Sequence, residues 1–171
     1  LDGLRAIAVM AVIAYHLDWF WAPGGLLGVG VFFVLSGYLI TDLLLSEWKE
    51  SGRIDLKDFW LRRARRLLPA MLVMLLLVTS WIVLFDSGRL SAIKGDVVSA
   101  LLYVSNWWFI YRDVSYFDSF GPLSPYGHLW SLAVEEQFYL LWPLLLAAGL
   151  LVTPRRGKLV LLTLAAAAAS A

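Results

Sequence analysis

Apolar residues fall along this chain in long unbroken runs rather than in strict alternation, and that pattern predicts helices instead of strands. The runs are Leu4–Phe20, Gly28–Leu45, Leu67–Phe85, Val97–Ile110, Leu129–Leu151 and a last one from Leu159. A helix needs about 20 residues to cross the hydrocarbon of a bilayer, and most of these runs reach or approach that length. Val97–Ile110 is shorter and carries Ser99, Ser105 and Asn106, so it either crosses, lies at the interface or re-enters; the positive-inside count below favours a segment that does not cross. The expectation is an all-α, polytopic transmembrane helical bundle, with residues 1–171 as part of a single membrane domain.

Composition agrees with that class. Of 171 residues, 61% are apolar and 16% charged, and the mean hydropathy is +0.76, too apolar for a soluble domain of this size. Nine tryptophans, several near run ends (Trp19, Trp21, Trp107, Trp108, Trp130), fit an interfacial belt. The absence of cysteine excludes a thiol nucleophile, a disulfide framework and a zinc–thiolate site, and no metal site is expected. A net charge of +1 names no partner and gives no reason to expect nucleic acid. The chain opens on Leu1 and closes in the Ala165–Ala169 run, so it is expected to be the first part of a longer protein.

The placement of charge is more informative than its sum. Lys49, Arg53, Lys57, Arg62, Arg63, Arg65 and Arg66 lie between the second and third runs, whereas Leu17–Leu27 has no basic residue. The basic segment and the N-terminus are therefore expected on the cytoplasmic side. Arg155, Arg156 and Lys158 join them there only if Val97–Ile110 does not cross. Within the basic segment, Phe59, Arg62, Arg63 and Arg66 share a helical face, which predicts an amphipathic cytoplasmic helix over about 56–68, stopped by Pro69. Arginine forks suit the phosphates of a nucleotide-bearing acyl donor; they equally fix topology or hold anionic lipid.

Three constellations carry candidate chemistry. Arg5 and His16 are eleven residues apart and return to within about 20° of one helical face, roughly 16 Å apart; arginine is expected near the cytoplasmic surface and the imidazole about half-way through the membrane. Histidine is suited to take a proton from an attacking hydroxyl near neutral pH, though a packed histidine between helices has the same signature. Ser36 beside Gly37 lacks the Gly-x-Ser-x-Gly elbow, since Val34 stands two before it, and close helix packing is its expected role. Finally His128, Ser131, Glu135, Tyr139 and Trp142 recur every three or four residues, a polar and aromatic stripe on an apolar helix. Carboxylates such as Glu135 and Glu136 inside a span face a cavity or a partner, as part of a site or of a structural hydrogen-bond network.

The segments LDGLRAIAV with His16, GGLLGVGVFFVLSGYLIT, FWLRRARRLLP and HLWSLAVEEQFYLLWP, in that order, resemble the successive signatures of the acyltransferase-3 family of integral membrane acyltransferases, closest to bacterial O-acetyltransferases of peptidoglycan or O-antigen. In that family a basic residue and a histidine with ten residues between them form a motif, matched here by Arg5 and His16. The resemblance implies a membrane domain of roughly ten helices, of which this is the first half, in the plasma or inner membrane. It implies acetyl-CoA as acyl donor, a cell-envelope polysaccharide as acceptor and, in many members, a C-terminal SGNH-type domain. On this reading Arg62, Arg63 and Arg66 meet the donor phosphates, and His16 acts as general base or transient acyl carrier. Arg5 and Glu135 assist it, with Ser36, His128, Ser131 and Tyr139 in support. One departure stands out: many relatives have aspartate where this chain has Gly30, so an acidic helper there does not carry over, and Asp18 or Glu135 is left to substitute. The rival reading is a transporter or flippase of an acyl or glycan precursor, with His16 and Glu135 coupling protons.

Overall fold

The computed structural model describes residues 2–17, 19–112 and 124–152; Asp18, the loop at 113–123 and the basic cluster and apolar run after 152 lie outside them. Every regular element among the described residues is helical: α1 (Asp2–His16), α2 (Leu27–Ser51), α3 (Leu56–Phe85), a 3-10 turn at Ser87–Arg89, α4 (Leu90–Leu101), α5 (Ser105–Tyr111) and α6 (Leu129–Val152). Three are long and apolar enough to cross a bilayer, over Leu27–Ser51, Leu56–Phe85 and Leu129–Leu151. Along α3 only Phe59, Met71, Leu75 and Ile82 are buried, while Leu72, Leu76, Leu77 and Leu84 point outward. Such a surface is at home in hydrocarbon, where the helical backbone satisfies its own hydrogen bonds.

Cross-helix pairs fix the directions of the helices. Phe33 meets Trp130, Ser36 meets Glu135 and Thr41 meets Trp142, so α2 and α6 run parallel. Trp60 meets Tyr139, Arg63 meets Glu136 and Thr79 meets Tyr126, so α3 runs against them. Residues 51–56 and 152 therefore share one end of the bundle, called here the arginine end. Residues 85–129 begin and finish at the other.

Within that return, 97–110 is not one helix. α4 stops at Leu101 and α5 starts at Ser105, with Tyr103 between them at φ 53°. A left-handed non-glycine residue costs on the order of 1 kcal/mol, and the Gln137 amide, donating to the Tyr103 carbonyl at 2.8 Å, holds it there. The segment thus leaves and re-enters at one end without crossing.

α1 corrects the expected depth of the motif. Its helix ends at His16, before the reversal that contains Pro23, Gly24 and Gly25. α1 then packs back on α2 with main chains touching: a Cβ at Gly25 would overlap the Ala11 carbonyl and one at Gly28 the Ala8 carbonyl. This pairing sets Arg5 beside Phe32, its guanidinium carbon 4.9 Å from the ring centre. His16 sits at the end of the bundle with an exposed ring. Arginine is the deeper partner and the imidazole the shallower, because the reversal uses up residues counted as part of the first run.

The proline stop is also overturned. α3 runs unbroken through Pro69; only the bond to the Arg65 carbonyl is lost, and Arg65 is an exposed residue near the arginine end. The amphipathic stretch at 56–68 is the first part of a spanning helix.

Candidate active site

Glu135 is the centre of the polar stripe on α6. Ser36 donates its hydroxyl to Glu135 Oε1 at 2.8 Å, and the Tyr139 hydroxyl donates to the same oxygen. Ser36 and Tyr139 are both buried, so neither hydroxyl has water as an alternative partner. Small side chains at Ser36 and Gly37 let α6 approach α2 closely, as in membrane helix pairs generally; the Phe138 ring lies 3.7 Å from where a Gly37 Cβ would stand. The same carboxylate borders a cavity of about 220 Å³ between α1, α2 and α6. Val12 and Ile13 of α1, Phe32 and Phe33 of α2, and Ser131 of α6 contribute to its walls.

His16 lies one helical turn beyond Val12, which lines that cavity with Ile13. The Val12 carbonyl lies 2.8 Å from His16 Nδ1. A carbonyl only accepts, so in the neutral ring Nδ1 carries the proton and the basic lone pair is on Nε2. His128, in the turn before α6, is close enough to feel the charge of His16. Partial desolvation, then that neighbouring imidazole, hold its pKa below the ordinary histidine value, partly offset by a hydrogen bond to the Pro125 carbonyl.

The arginines separate. Arg62 pairs with Asp58 on the exposed face, and Arg66 is exposed. Arg63 turns inward: its guanidinium carbon lies 3.1 Å from the centre of the Tyr139 ring, and its Nε is 3.7 Å from Glu136 Oε1. A cation on an aromatic face gains about 2 kcal/mol when desolvated, so Arg63 is bound to α6. Arg5 Nε is buried without a hydrogen bond, and its guanidinium lies against Phe32, on the same wall as the cavity.

A larger apolar groove of about 590 Å³ lies beside the first, lined by Pro23, Leu27, Gly30, Phe33 and Trp130 among others. A side chain at Gly30 would meet no atom within 4 Å, so the glycine widens this groove and packs against nothing. No group of three or more metal-ligating side chains occurs among the described residues.

The acyltransferase domain profile, acyltransferase-3, matches residues 1–171. The chain belongs to the acyltransferase-3 family.

Among curated members, the putative peptidoglycan O-acetyltransferase YrhL of Bacillus subtilis (strain 168) is 54% identical over 159 residues, 93% of this chain and 25% of that protein. The peptidoglycan O-acetyltransferase OatA of Listeria monocytogenes is 58% identical over 143 residues, 84% of this chain and 23% of that protein. A putative O-acetyltransferase of Staphylococcus aureus (strain COL) is 52% identical over 159 residues, 93% of this chain and 26% of that protein. The chain spans about a quarter of the length of these relatives. No solved structure matches it significantly.

In this family member the fold gathers Ser36, Glu135, Tyr139 and Arg63 into one cluster and sets Ser131 and Glu135 on one cavity, with His16 a turn beyond its Val12 wall and His128 near His16. It does not gather the three arginines. Ser131 gives its hydroxyl to the His128 carbonyl at 3.1 Å, which leaves it a role in helix initiation. Two groups escaped the sequence reading. Asp96 is a buried carboxylate on α4, just before the run counted from Val97. Trp60 donates its indole N–H to the Tyr139 carbonyl at 3.1 Å; the signal for it was Pro143, four residues on, which has no N–H for that carbonyl.

Proposed function

We propose that this chain forms the leading part of a plasma-membrane O-acyltransferase that moves an acetyl group from acetyl-CoA to hydroxyls of a cell-envelope polysaccharide, peptidoglycan before O-antigen or exopolysaccharide. The observation that carries the reading is the His16 ring, fixed through Nδ1 on the Val12 carbonyl so that Nε2 is the basic atom, one turn beyond the Val12 and Ile13 that line a cavity bordered by Glu135. A base poised in this way takes the proton of an acceptor hydroxyl as its oxygen attacks the thioester carbonyl. A ring with its lone pair on Nε2 can also carry the acyl group transiently.

The arginine end fits a phosphate-bearing donor on the cytoplasmic side, with the N-terminus on that side too. Arg66 is an exposed cation, and Arg62 shares Asp58 with no buried partner. Arg63 anchors the donor side to Tyr139 and so to Glu135. Glu135, with both hydroxyls on one oxygen, is held in a single orientation to balance the charge that develops on the imidazole. Arg5 supplies a buried positive charge beside the cavity wall. An SGNH-type domain would lie beyond this chain.

The reading is tested with the full-length protein in membranes, labelled acetyl-CoA and His16→Ala at matched protein level. Label in envelope polysaccharide with wild type and none with the variant supports both parts. No transfer by wild type across several donors and acceptors sinks the acyltransferase assignment and favours transport. Equal transfer by the variant removes His16 from the chemistry.

A further inference from the structure

Asp96 has no part in the site described above, yet it is among the most completely buried charged side chains described, 3% exposed. Its Oδ1 accepts the Trp108 indole N–H at 2.8 Å and lies 3.5 Å from an Arg112 nitrogen; its Oδ2 accepts the Ser124 hydroxyl at 2.6 Å. Its own main-chain carbonyl accepts the Ser99 hydroxyl at 2.9 Å. The neighbouring Gly95 leaves room for the Trp108 ring, which occupies the place of a Cβ. A buried carboxylate is costly unless its lone pairs are met, and here both oxygens are met by groups from two other segments.

The bond to Ser124 leads toward the candidate site. Ser124 Oγ also accepts the Tyr126 N–H at 3.2 Å, and the Ser124 carbonyl accepts the Gly127 N–H at 3.0 Å. Tyr126 is fully buried, with its hydroxyl 2.8 Å from Thr79 Oγ1 of α3. The turn at 124–128 is thereby pinned at Ser124 and at Tyr126, and the next side chain after Gly127 is His128, whose ring bonds back to Pro125. We infer that Asp96 is a positioning residue, which through Ser124 fixes the 124–128 turn and so holds the His128 imidazole beside His16. His16 is the titratable group of α1 that faces His128; from α6 the neighbour is the uncharged Ser131.

The inference rests on the acyl-transfer reading only for its kinetic consequence, and placement can be read without any turnover. In the full-length protein, histidine carbethoxylation by diethyl pyrocarbonate is followed by mass spectrometry across pH 5 to 8, for wild type, Ser124→Ala, Ser124→Thr and Asp96→Asn. Because its pKa is held down, His128 of wild type should react at lower pH than an ordinary histidine. In Ser124→Ala the His128 profile should move up in pH, with the Thr variant restoring it and Asp96→Asn following the Ala variant in part. Acceptor KM should rise several-fold in Ser124→Ala while donor KM stays fixed. A His128 profile unchanged in Ser124→Ala, which leaves the buried Asp96–Trp108 bond in place, overturns the inference. A shifted profile in a protein that transfers no acetyl group upholds the positioning role and counts against the acyltransferase reading alone.

Discussion

The Trp60 indole closes a gap in the main chain of another helix, because it donates to the Tyr139 carbonyl that Pro143 leaves without its helical partner. Removing the donor strands the main-chain carbonyl of Tyr139, the residue whose hydroxyl holds Glu135. Trp60→Phe should therefore destabilise the protein by about 1–3 kcal/mol. Pro143→Ala supplies an N–H of its own, so in a double-mutant cycle the loss from Trp60→Phe should shrink in the Pro143→Ala background. Thermal or denaturant unfolding in detergent measures both; strictly additive effects would refute the gap-filling role.

Gly28 and Gly30 lie two residues apart on α2 and should respond in opposite ways. Gly28→Ala drives a Cβ into the Ala8 carbonyl and should cost about 1–3 kcal/mol as α1 is pushed off α2. Gly30→Ala meets nothing within 4 Å and should be neutral or stabilising by up to about 1 kcal/mol through helix propensity. Unfolding midpoints of the two variants, measured side by side, decide the matter.

The two hydroxyls on Glu135 give graded expectations. A hydrogen bond to a charged group contributes about 1.5–3 kcal/mol, so Ser36→Ala or Tyr139→Phe should lower kcat/KM for acetyl transfer roughly 10- to 100-fold. Losing both should cost less than the product of the two, since the first loss already frees the carboxylate to turn. Wild-type kinetics in both single variants would place Glu135 outside the reaction.

Arg62 and Arg63 are neighbours with different tasks. Arg62→Ala should raise the KM for acetyl-CoA and leave thermal stability unchanged, because Arg62 is exposed with Asp58. Arg63→Ala should lower the melting temperature as well, because it strips the cation from Tyr139 and leaves the partly buried Glu136 without its ion pair. Donor titrations with melting curves separate the two; matching behaviour would overturn the division.

The sequence carried the helical class and the long spans well, since a run such as Leu67–Phe85 has one physical solution in lipid. It also put Glu135 and Tyr139 on one helical stripe, where the two side chains do meet, but the spacing held no sign that Ser36 of another helix joins them. What periodicity cannot hold is which neighbour a face meets. Arg62, Arg63 and Arg66 share a helical face on paper, but only Arg63 lies where α6 passes, and that depends on the crossing of two helices. The depth of His16 was misjudged because an apolar run does not say where a helix ends; the Pro23–Gly24–Gly25 reversal does. Asp96 was invisible for a similar reason, as its donors stand 12 and 28 residues away.

The antiparallel course of α3 against α2 and α6 sorts the chain's basic side chains between the two ends of the bundle. The arginine end carries lysines and arginines whose charge is fixed throughout the physiological range. The opposite end holds both of the chain's histidines. Fixed cations thus crowd the end where α2 gives way to α3, and both imidazoles stand where α1 turns back and α6 begins, so the bundle is chemically polarised along its axis.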